Sequence, residues 1–540
     1  MTAHLGSRPT LAATGLEQLV LAVDLGTSGC KVALVSLQGE VRAWAFNSVT
    51  LYVNGVSAEQ DPEDWWAAFV SGALEVLGSD VTRKSQVVAV CCSTQAEGTV
   101  CVDKQGIALG RAMLWLDMRG AAAIRRRMGA GRFNLAGYHP LKLWQSIRLT
   151  GGIAALSGKD SAGHIAYICD HEPARYASTY KFLNVLDYMN MRLTGRMCAT
   201  ADSMLTTWTT DNRDPMAIRY DPRLIKSLRV DAEKLPDLVR STDVIGSLLP
   251  TLAATLGLPS STSVVAGATD TSAVAVGAAV NDYAAHLYLG TSSWVGAHVP
   301  RKKSSVRHHM AAVPSAIGGR YLAMAMQSAA GANLSFLRDR IIYHPDELLL
   351  DEQQPDVYEL LDRIASRVEP GARGLIYMPW LSGERSPVDD SSLRAGLFNM
   401  KLEHSREDII RAFLEGIALN TRWMLEPFSR FLGKSSGEMT AVGGGAQSEL
   451  WCQIIADVTG QVIHQPYKPI QTNARGAAFI AGVGIGALRF DDVPSFQRAH
   501  RSYEPHAGLR ALYDDRFATF KEVHKRLSPL YRRLNPAEGM

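Results

Sequence analysis

The stretch LAVDLGTSGCKVALVSLQGEV, residues 21–41, decides the fold. Apolar residues run up to a lone carboxylate, Asp24. Gly26-Thr27-Ser28-Gly29 follows, then Lys31, then a second apolar run. VLAVDL (20–25) and VALVSL (32–37) are β-branched and apolar, and read as two strands joined by a glycine-rich turn. Gly39 marks another turn, and 41–53 predicts a third strand, so the chain opens as a β-meander. A carboxylate at the end of a buried strand costs free energy unless something pairs with it. The turn beside it offers backbone N–H groups and two hydroxyls, a concavity that suits phosphate oxygens. A carboxylate next to a phosphate cradle makes sense with a divalent cation between them, because Mg²⁺ is usually held by one or two carboxylates plus phosphates and water. Lys31 adds a point charge. The alternative is a tight hairpin with a capped aspartate.

Working outward, AHLYLGTSSWVGAHV (285–299) repeats the pattern of strand, Gly-Thr-Ser turn and strand. One such hairpin per half predicts two domains of similar core facing each other. MTAVGGGAQSELWCQIIADVTG (439–460) reads as strand, triple glycine and helix, with the helix N-terminus towards a nucleotide. Three small-residue turns, each after a strand, point to a nucleotide clamped between two domains. Helices are predicted at 59–79, where Asp61 caps and Pro62 takes the first position, and at 405–432, capped by Ser405. VVAVCCST (87–94) is a buried strand, 263–280 a strand, glycine turn and small-residue helix, and 475–488 another small-residue helix. Residues 121–240 read as helical and irregular. The expected division is a disordered lead (1–18), a first domain (19–281), a second (282–488) and a helical tail packed on the second (489–540).

Composition excludes other classes. Of 540 residues, 46% are hydrophobic and 20% charged, as in an ordinary globular protein. A net charge of +3 gives no argument for nucleic acid or an acidic membrane surface. No apolar run approaches the roughly 18 residues of a membrane span. Seven cysteines, without a CxxC pair, read as reduced thiols of a cytoplasmic protein. The run Arg125-Arg126-Arg127 reads as a solvated helix face, and His308-His309 lacks partners at metal-ligand spacing.

In GATDTS (267–272), Asp270 follows a strand and opens a helix. By itself it is an N-cap. Opposite a phosphate cradle it becomes a candidate base that takes a hydroxyl proton as a phosphoryl group arrives. Together these motifs resemble the FGGY family of carbohydrate kinases, over about residues 19–488. DLGTSGCK resembles the family's first phosphate motif, LGTSS the second, VGGGAQSELWCQIIADVTG the adenosine motif and GATDTSAVAVG the segment of the catalytic aspartate. LWLDMRG (114–120), SGERSPVDDSSLRAGLF (382–398) and RAFLEGIALN (411–420) are also similar to family segments.

The resemblance implies an α/β fold of two actin-like, ribonuclease-H-like ATPase domains with a cleft between them. It implies ATP and Mg²⁺, a small sugar or polyol as acceptor, and a homodimer as a common assembly. Asp270 is then the base, and Asp24 with Asp270 holds Mg²⁺. Gly26, Thr27, Ser28 and Lys31, with Gly290, Thr291 and Ser292, line the phosphates. Gly443, Gly444 and Gly445 pass under the nucleoside. Gln95, Glu97, Asp117 and Thr271 are the expected substrate residues, alongside Asp270. In CCSTQAEGTV (91–100), Gln95 and Gly98 fit the xylulose kinase pattern, while Glu97 resembles the glycerol kinase branch. Asp117 either binds substrate or forms an internal ion pair with Arg119. Ala96, Thr271 and Asn473 depart from the family pattern. A ketopentose such as D-xylulose is the first expectation, a polyol the second, and a non-catalytic actin-like nucleotide-binding protein the third.

Overall fold

The computed structural model describes residues 17–129, 134–342, 357–434, 437–497 and 499–535. Most of the expected disordered lead, residues 1–16, lies outside them. The first meander forms β1 (Leu19–Leu25), β2 (Gly29–Ser36) and β3 (Val41–Ser48), antiparallel in sequence. The third strand stops at Ser48; Tyr52–Asn54 instead pairs with Ser57–Gln60. β4 (Val87–Thr94) runs parallel to β1 on its other side. β5 (Val244–Ser247) is the far edge, antiparallel to β6 (Ser263–Thr269), which is parallel to β4. The order is β5-β6-β4-β1-β2-β3. Every residue of β1 is buried, as a strand covered on both faces requires.

The second sheet is built on β7 (Ala285–Leu289) and β8 (Ser293–Val299). It adds β9 (Ser304–Ser305), β10 (Met310–Pro314), β11 (Tyr321–Gln327), β12 (Glu438–Val442), β13 (Val462–Pro466) and β14 (Ala499–Tyr503). Its order is β9-β10-β11-β8-β7-β12-β13-β14. From β11 to β14 the scheme repeats the first sheet: a central antiparallel hairpin, two parallel strands beside it, and an antiparallel strand at the edge.

Helices cover both faces. α1 (Pro62–Leu77) is capped by Asp61, which accepts the Glu63 N–H at 3.0 Å. α2 (Val185–Thr194) packs on the same side. α3 (Asp270–Gly277) extends from the end of β6. α4 (Arg406–Leu432) opens with a Ser405–Asp408 capping box, and α5 (Glu449–Thr459) lies beside it. α6 (Thr472–Gly484) comes late in the chain but packs on the first sheet: Ala474, Ala477 and Ala478 share a core with Val20, Ala22, Ala33 and Val265. The segment read as second-domain therefore crosses back. It does so through glycine. A Cβ on Gly476 would sit 1.8 Å from the Ala273 carbonyl oxygen, and one on Gly277 2.0 Å from that of Thr472. α3 and α6 thus cross backbone to backbone.

The tail is not purely helical. It supplies edge strand β14 before α7 (Arg510–Leu534), whose Tyr513, Phe517 and Phe520 join the second core. Residues 121–240 hold short helices and small two-stranded ribbons. Arg127 corrects the solvated-face reading of its run. It is buried, donates to Asp170 at 2.6 Å and caps the Leu228 carbonyl, whereas Arg125 and Arg126 are exposed.

Candidate active site

Asp24, near the end of β1, is buried with one partner on each carboxylate oxygen. Lys31 on β2 reaches its Oδ2 at 3.0 Å. The Asn473 amide, delivered by the first turn of α6, donates to its Oδ1 at 2.6 Å. Because a carboxylate only accepts, Asp24 fixes the amide nitrogen towards itself, and Asn473 Oδ1 is left to accept the Ser93 hydroxyl at 2.8 Å. The departure noted at Asn473 thus has a structural meaning: the second half of the chain grips the carboxylate of the first. Asp24 raises the pKa of Lys31 and keeps it charged.

The first Gly-Thr-Ser turn divides its labour. Gly26 N–H closes the turn on the Gly29 carbonyl at 3.0 Å. The Thr27 hydroxyl faces inward, donating to Gln95 Oε1 at 2.8 Å and accepting from Trp115 Nε1 at 3.0 Å. Gln95 also donates to Gln60, which holds the Thr27 carbonyl. Thr27 is therefore a strut for Gln95, and its hydroxyl is not free for a phosphate; buried amides demand partners. Ser28 is the exposed member. In the second turn, Gly290 N–H bonds Ser292 O at 3.0 Å, while the Thr291 carbonyl accepts Ala330 N–H at 2.9 Å and Ala332 N–H at 3.0 Å. The hydroxyls of Ser28, Thr291 and Ser292 have no hydrogen-bond partner among the described residues.

The triple glycine also divides. Gly443 has φ +93° and a Cβ there would meet the Leu289 carbonyl at 2.7 Å; one on Gly445 would meet the Trp451 ring at 2.6 Å. Gly444 has nothing within 4 Å and opens onto free space. The glycines do not sit at the N-terminus of α5, as the sequence suggested. A 3₁₀ turn (Gly445–Gln447) intervenes, and Ser448 caps α5 by accepting Trp451 N–H at 2.9 Å.

Asp270 is the first residue of α3 and half-buried. Its Oδ1 accepts the Thr271 N–H at 2.7 Å. Burial first, then the charges of Asp24, Asp202 and Glu97, push its pKa up to about 7, against the pull of that N–H. A carboxylate poised there can take a proton near neutral pH.

Glu97, close enough to Asp270 to act on its charge, is half-buried in the left-handed region, φ 66°, which a non-glycine residue enters only when its surroundings hold it there. Burial raises its pKa, while Arg385 from the second half and Lys159 from the first pull it down. Among the described residues, Gln95 keeps one amide N–H uncommitted after its bond to Gln60. Thr271 is half-buried beside Asp270. Asp117 is different: it is fully buried, with Ala58 N–H at 3.0 Å on Oδ2 and the Arg119 guanidinium and N–H on both oxygens. Arg119 also pairs with Glu59. This corrects Asp117 as a substrate ligand. It is the internal ion pair, tying the LWLDMRG loop to the 57–60 strand.

Family models for this architecture match both halves: the N-terminal domain of the FGGY family of carbohydrate kinases over residues 19–277, and its C-terminal domain over 285–485. The chain belongs to the FGGY family of carbohydrate kinases. Among curated relatives of this FGGY kinase, a xylulose kinase of Staphylococcus epidermidis is 27% identical, covering 95% of this chain and 98% of the relative. Among solved structures, a gluconate kinase from Lactobacillus acidophilus has a TM-score of 0.81 at 20% identity, and a ligand-bound xylulose kinase from the same organism 0.80 at 21%. Both comparisons cover 96% of this chain and all of the other. Family membership removes the non-catalytic nucleotide-binding alternative.

Two residues of this FGGY kinase escaped sequence reading. Tyr288, two positions before Gly290, stacks on Trp294 with centroids 3.8 Å apart. A Cβ on Gly290 would lie 2.3 Å from its ring and one on Gly443 3.1 Å away, so both turns need glycine to pass it. Its hydroxyl pKa is pushed up to about 12 by burial, with Lys31 opposing and Asp24 and Asp270 adding. The end of β7 therefore lies within electrostatic reach of the end of β1. The aromatic beside a phosphate turn was the available signal. Asp202, buried behind Asp270, lies in no motif.

Proposed function

We propose that this chain phosphorylates a hydroxyl of a ketopentose, D-xylulose first, with ATP as donor. The observation that carries the reading is Asp270: a half-buried carboxylate with a pKa near 7, close enough to Asp24, Lys31 and Tyr288 to act on them electrostatically. Asp270 takes the hydroxyl proton as the sugar oxygen bonds to the γ-phosphorus and the bond to the ADP oxygen breaks. The products are sugar phosphate and ADP. Ser28, Thr291 and Ser292 hold phosphate oxygens, with Lys31 as a charge beside them, and the nucleoside passes over Gly444. In-line positioning and charge neutralisation are what such a transfer needs. Closing the cleft excludes water, the competing acceptor.

The donor set fits Mg²⁺. Asp24 and Asp270 are hard oxygen ligands whose mutual repulsion a cation would relieve. Among the described residues no three His, Cys, Asp or Glu side chains converge, so the ion would share its ligands with phosphate and water. Bound there, it would supply charge neutralisation.

The names of the relatives favour a ketopentose. Glu97 favours a polyol as the second reading, since one carboxylate can accept from two adjacent hydroxyls. Seven free cysteines, six of them buried, support a reducing, cytoplasmic location. Among the described residues no helix is long and apolar enough to cross a membrane. The test is ADP release with ATP and Mg²⁺ across ketopentoses, aldoses, pentitols, gluconate and glycerol, beside Asp270→Ala. Stimulation by one sugar, lost in the variant, is expected. Equal release across the panel in both proteins would sink the reading.

A further inference from the structure

The carboxylate behind Asp270 has no role in the scheme above. Asp202 is buried, just after the short strand Cys198–Thr200. Its Oδ2 accepts the Thr269 N–H at 2.6 Å and the Thr269 hydroxyl at 2.8 Å. Its Oδ1 accepts the Ser272 hydroxyl at 2.6 Å. These donors belong to the residue before Asp270 and the residue two after it. No basic side chain pairs with Asp202 among the described residues. A buried carboxylate without a counter-ion is costly, and three short charge-assisted bonds are what hold it there. All three bonds grip the one turn that presents the base.

The same bonds set a direction. A carboxylate only accepts, so the Thr269 hydroxyl gives its single proton to Asp202. Thr271 Oγ1 lies 3.2 Å from Thr269 Oγ1. Thr269 has no proton left for that contact, so Thr271 must donate. The Thr271 hydroxyl then shows the cleft lone pairs only. An amide at this position would show N–H groups as well.

We infer that Asp202 is a positioning residue that clamps the Asp270 turn and polarises the Thr269–Thr271 hydroxyl chain, so that Thr271 accepts a hydrogen bond from the sugar. The clamp holds the base in line with the attacking hydroxyl; the polarity selects acceptors that present an O–H at that point. This rests on Asp270 being the base.

The test compares Asp202→Ala, Asp202→Asn and Asp270→Ala, using the sugar of highest turnover in the panel above, and follows backbone hydrogen exchange over 267–273. Asparagine keeps an oxygen for Thr269, and the Ser272 hydroxyl can turn to accept from its amide. Asp202→Ala is expected to lower kcat by about 10–100-fold, the scale of a misplaced base, with KM within about threefold. Exchange at Thr269 should speed up. Asp202→Asn should recover kcat to within about fivefold and restore slow exchange. Wild-type kcat and exchange in Asp202→Ala would overturn the inference, and so would an asparagine variant as impaired as alanine. If Asp202→Ala does not fold, the pair Thr269→Val and Ser272→Ala removes the two hydroxyl donors and leaves the Thr269 N–H, with a loss in the same direction expected. Full turnover in Asp270→Ala would sink the base assignment alone, and the exchange contrast would still decide the clamp.

Discussion

At the scale of single residues, the charge state of Asp270 makes a pH prediction. A base must be ionised to take a proton. Burial, reinforced by Asp24, raises its pKa to about 7, so the protonated and inactive form gains below that pH. In the metal-free protein the carboxyl carbon resonance of Asp270 is expected to titrate near 7, and Mg²⁺, whose charge favours the ionised form, should draw the midpoint lower. Asp24→Asn removes one of the charges that raise it and should move the metal-free midpoint lower; a metal-free wild-type midpoint at the ordinary carboxylate value near 4 would contradict the assignment. Asn473 carries a second prediction. Asn473→Leu leaves Asp24 Oδ1 and the Ser93 hydroxyl buried without their partner. An unsatisfied buried group costs roughly 1–3 kcal/mol, and urea unfolding should show a loss of that size. Neither Asn473 nor Asp202 was legible as a site residue in the sequence. Each acts through a contact between segments far apart in the chain, and neither lies in a run whose composition suggests chemistry. Asp24 and Asp270 were legible because each ends an apolar strand at a small-residue turn.

At the scale of elements, local pattern and global placement came apart in one helix. Residues 475–488 are small and apolar, which identifies a buried helix but leaves its docking face open. The surface it packs on belongs to the other end of the chain: β1, β2 and β6. Edge strand β14, AHRSY, was hidden for the opposite reason. Four of its five residues are exposed, so no apolar alternation marks it. The hairpins β1–β2 and β7–β8 were plain because their strands are apolar and their turns small. The crossing of α3 and α6 has a direct consequence. With Gly476 Cβ placed 1.8 Å from a carbonyl oxygen, neither backbone can yield without moving a helix. Gly476→Ala is expected to cost about 1–3 kcal/mol through overpacking, and Gly476→Val more. Because α3 begins with Asp270 and α6 carries Asn473, the loss of stability should come with a loss of kcat. Wild-type thermal stability in Gly476→Val would show that the helices are not in backbone contact.

At the scale of the whole molecule, each sheet carries an antiparallel hairpin closed by a Gly-Thr-Ser turn, and a nucleotide held by both turns would bind both halves. A ligand that binds only the folded state stabilises it by about 2.7 kcal/mol at a hundred times its Kd. ADP with Mg²⁺ is therefore expected to raise Tm by a few degrees. The triple glycine allows that effect to be separated from folding. Gly443 has φ +93° and a carbonyl against its Cβ position, so any side chain there strains the apo fold. Gly444 has φ −62° and ψ −41°, ordinary for any residue, and empty space where its Cβ would stand. Gly444→Val should thus leave the apo Tm almost unchanged, because its branched side chain enters open space and not the core. On the proposed path of the nucleoside over Gly444, the same side chain would stand in its way, so the ADP-dependent rise in Tm should vanish. Gly443→Val should lower the apo Tm first. An undiminished ADP shift in Gly444→Val would place the nucleoside elsewhere in the cleft, and with it the direction from which the phosphates approach Asp270.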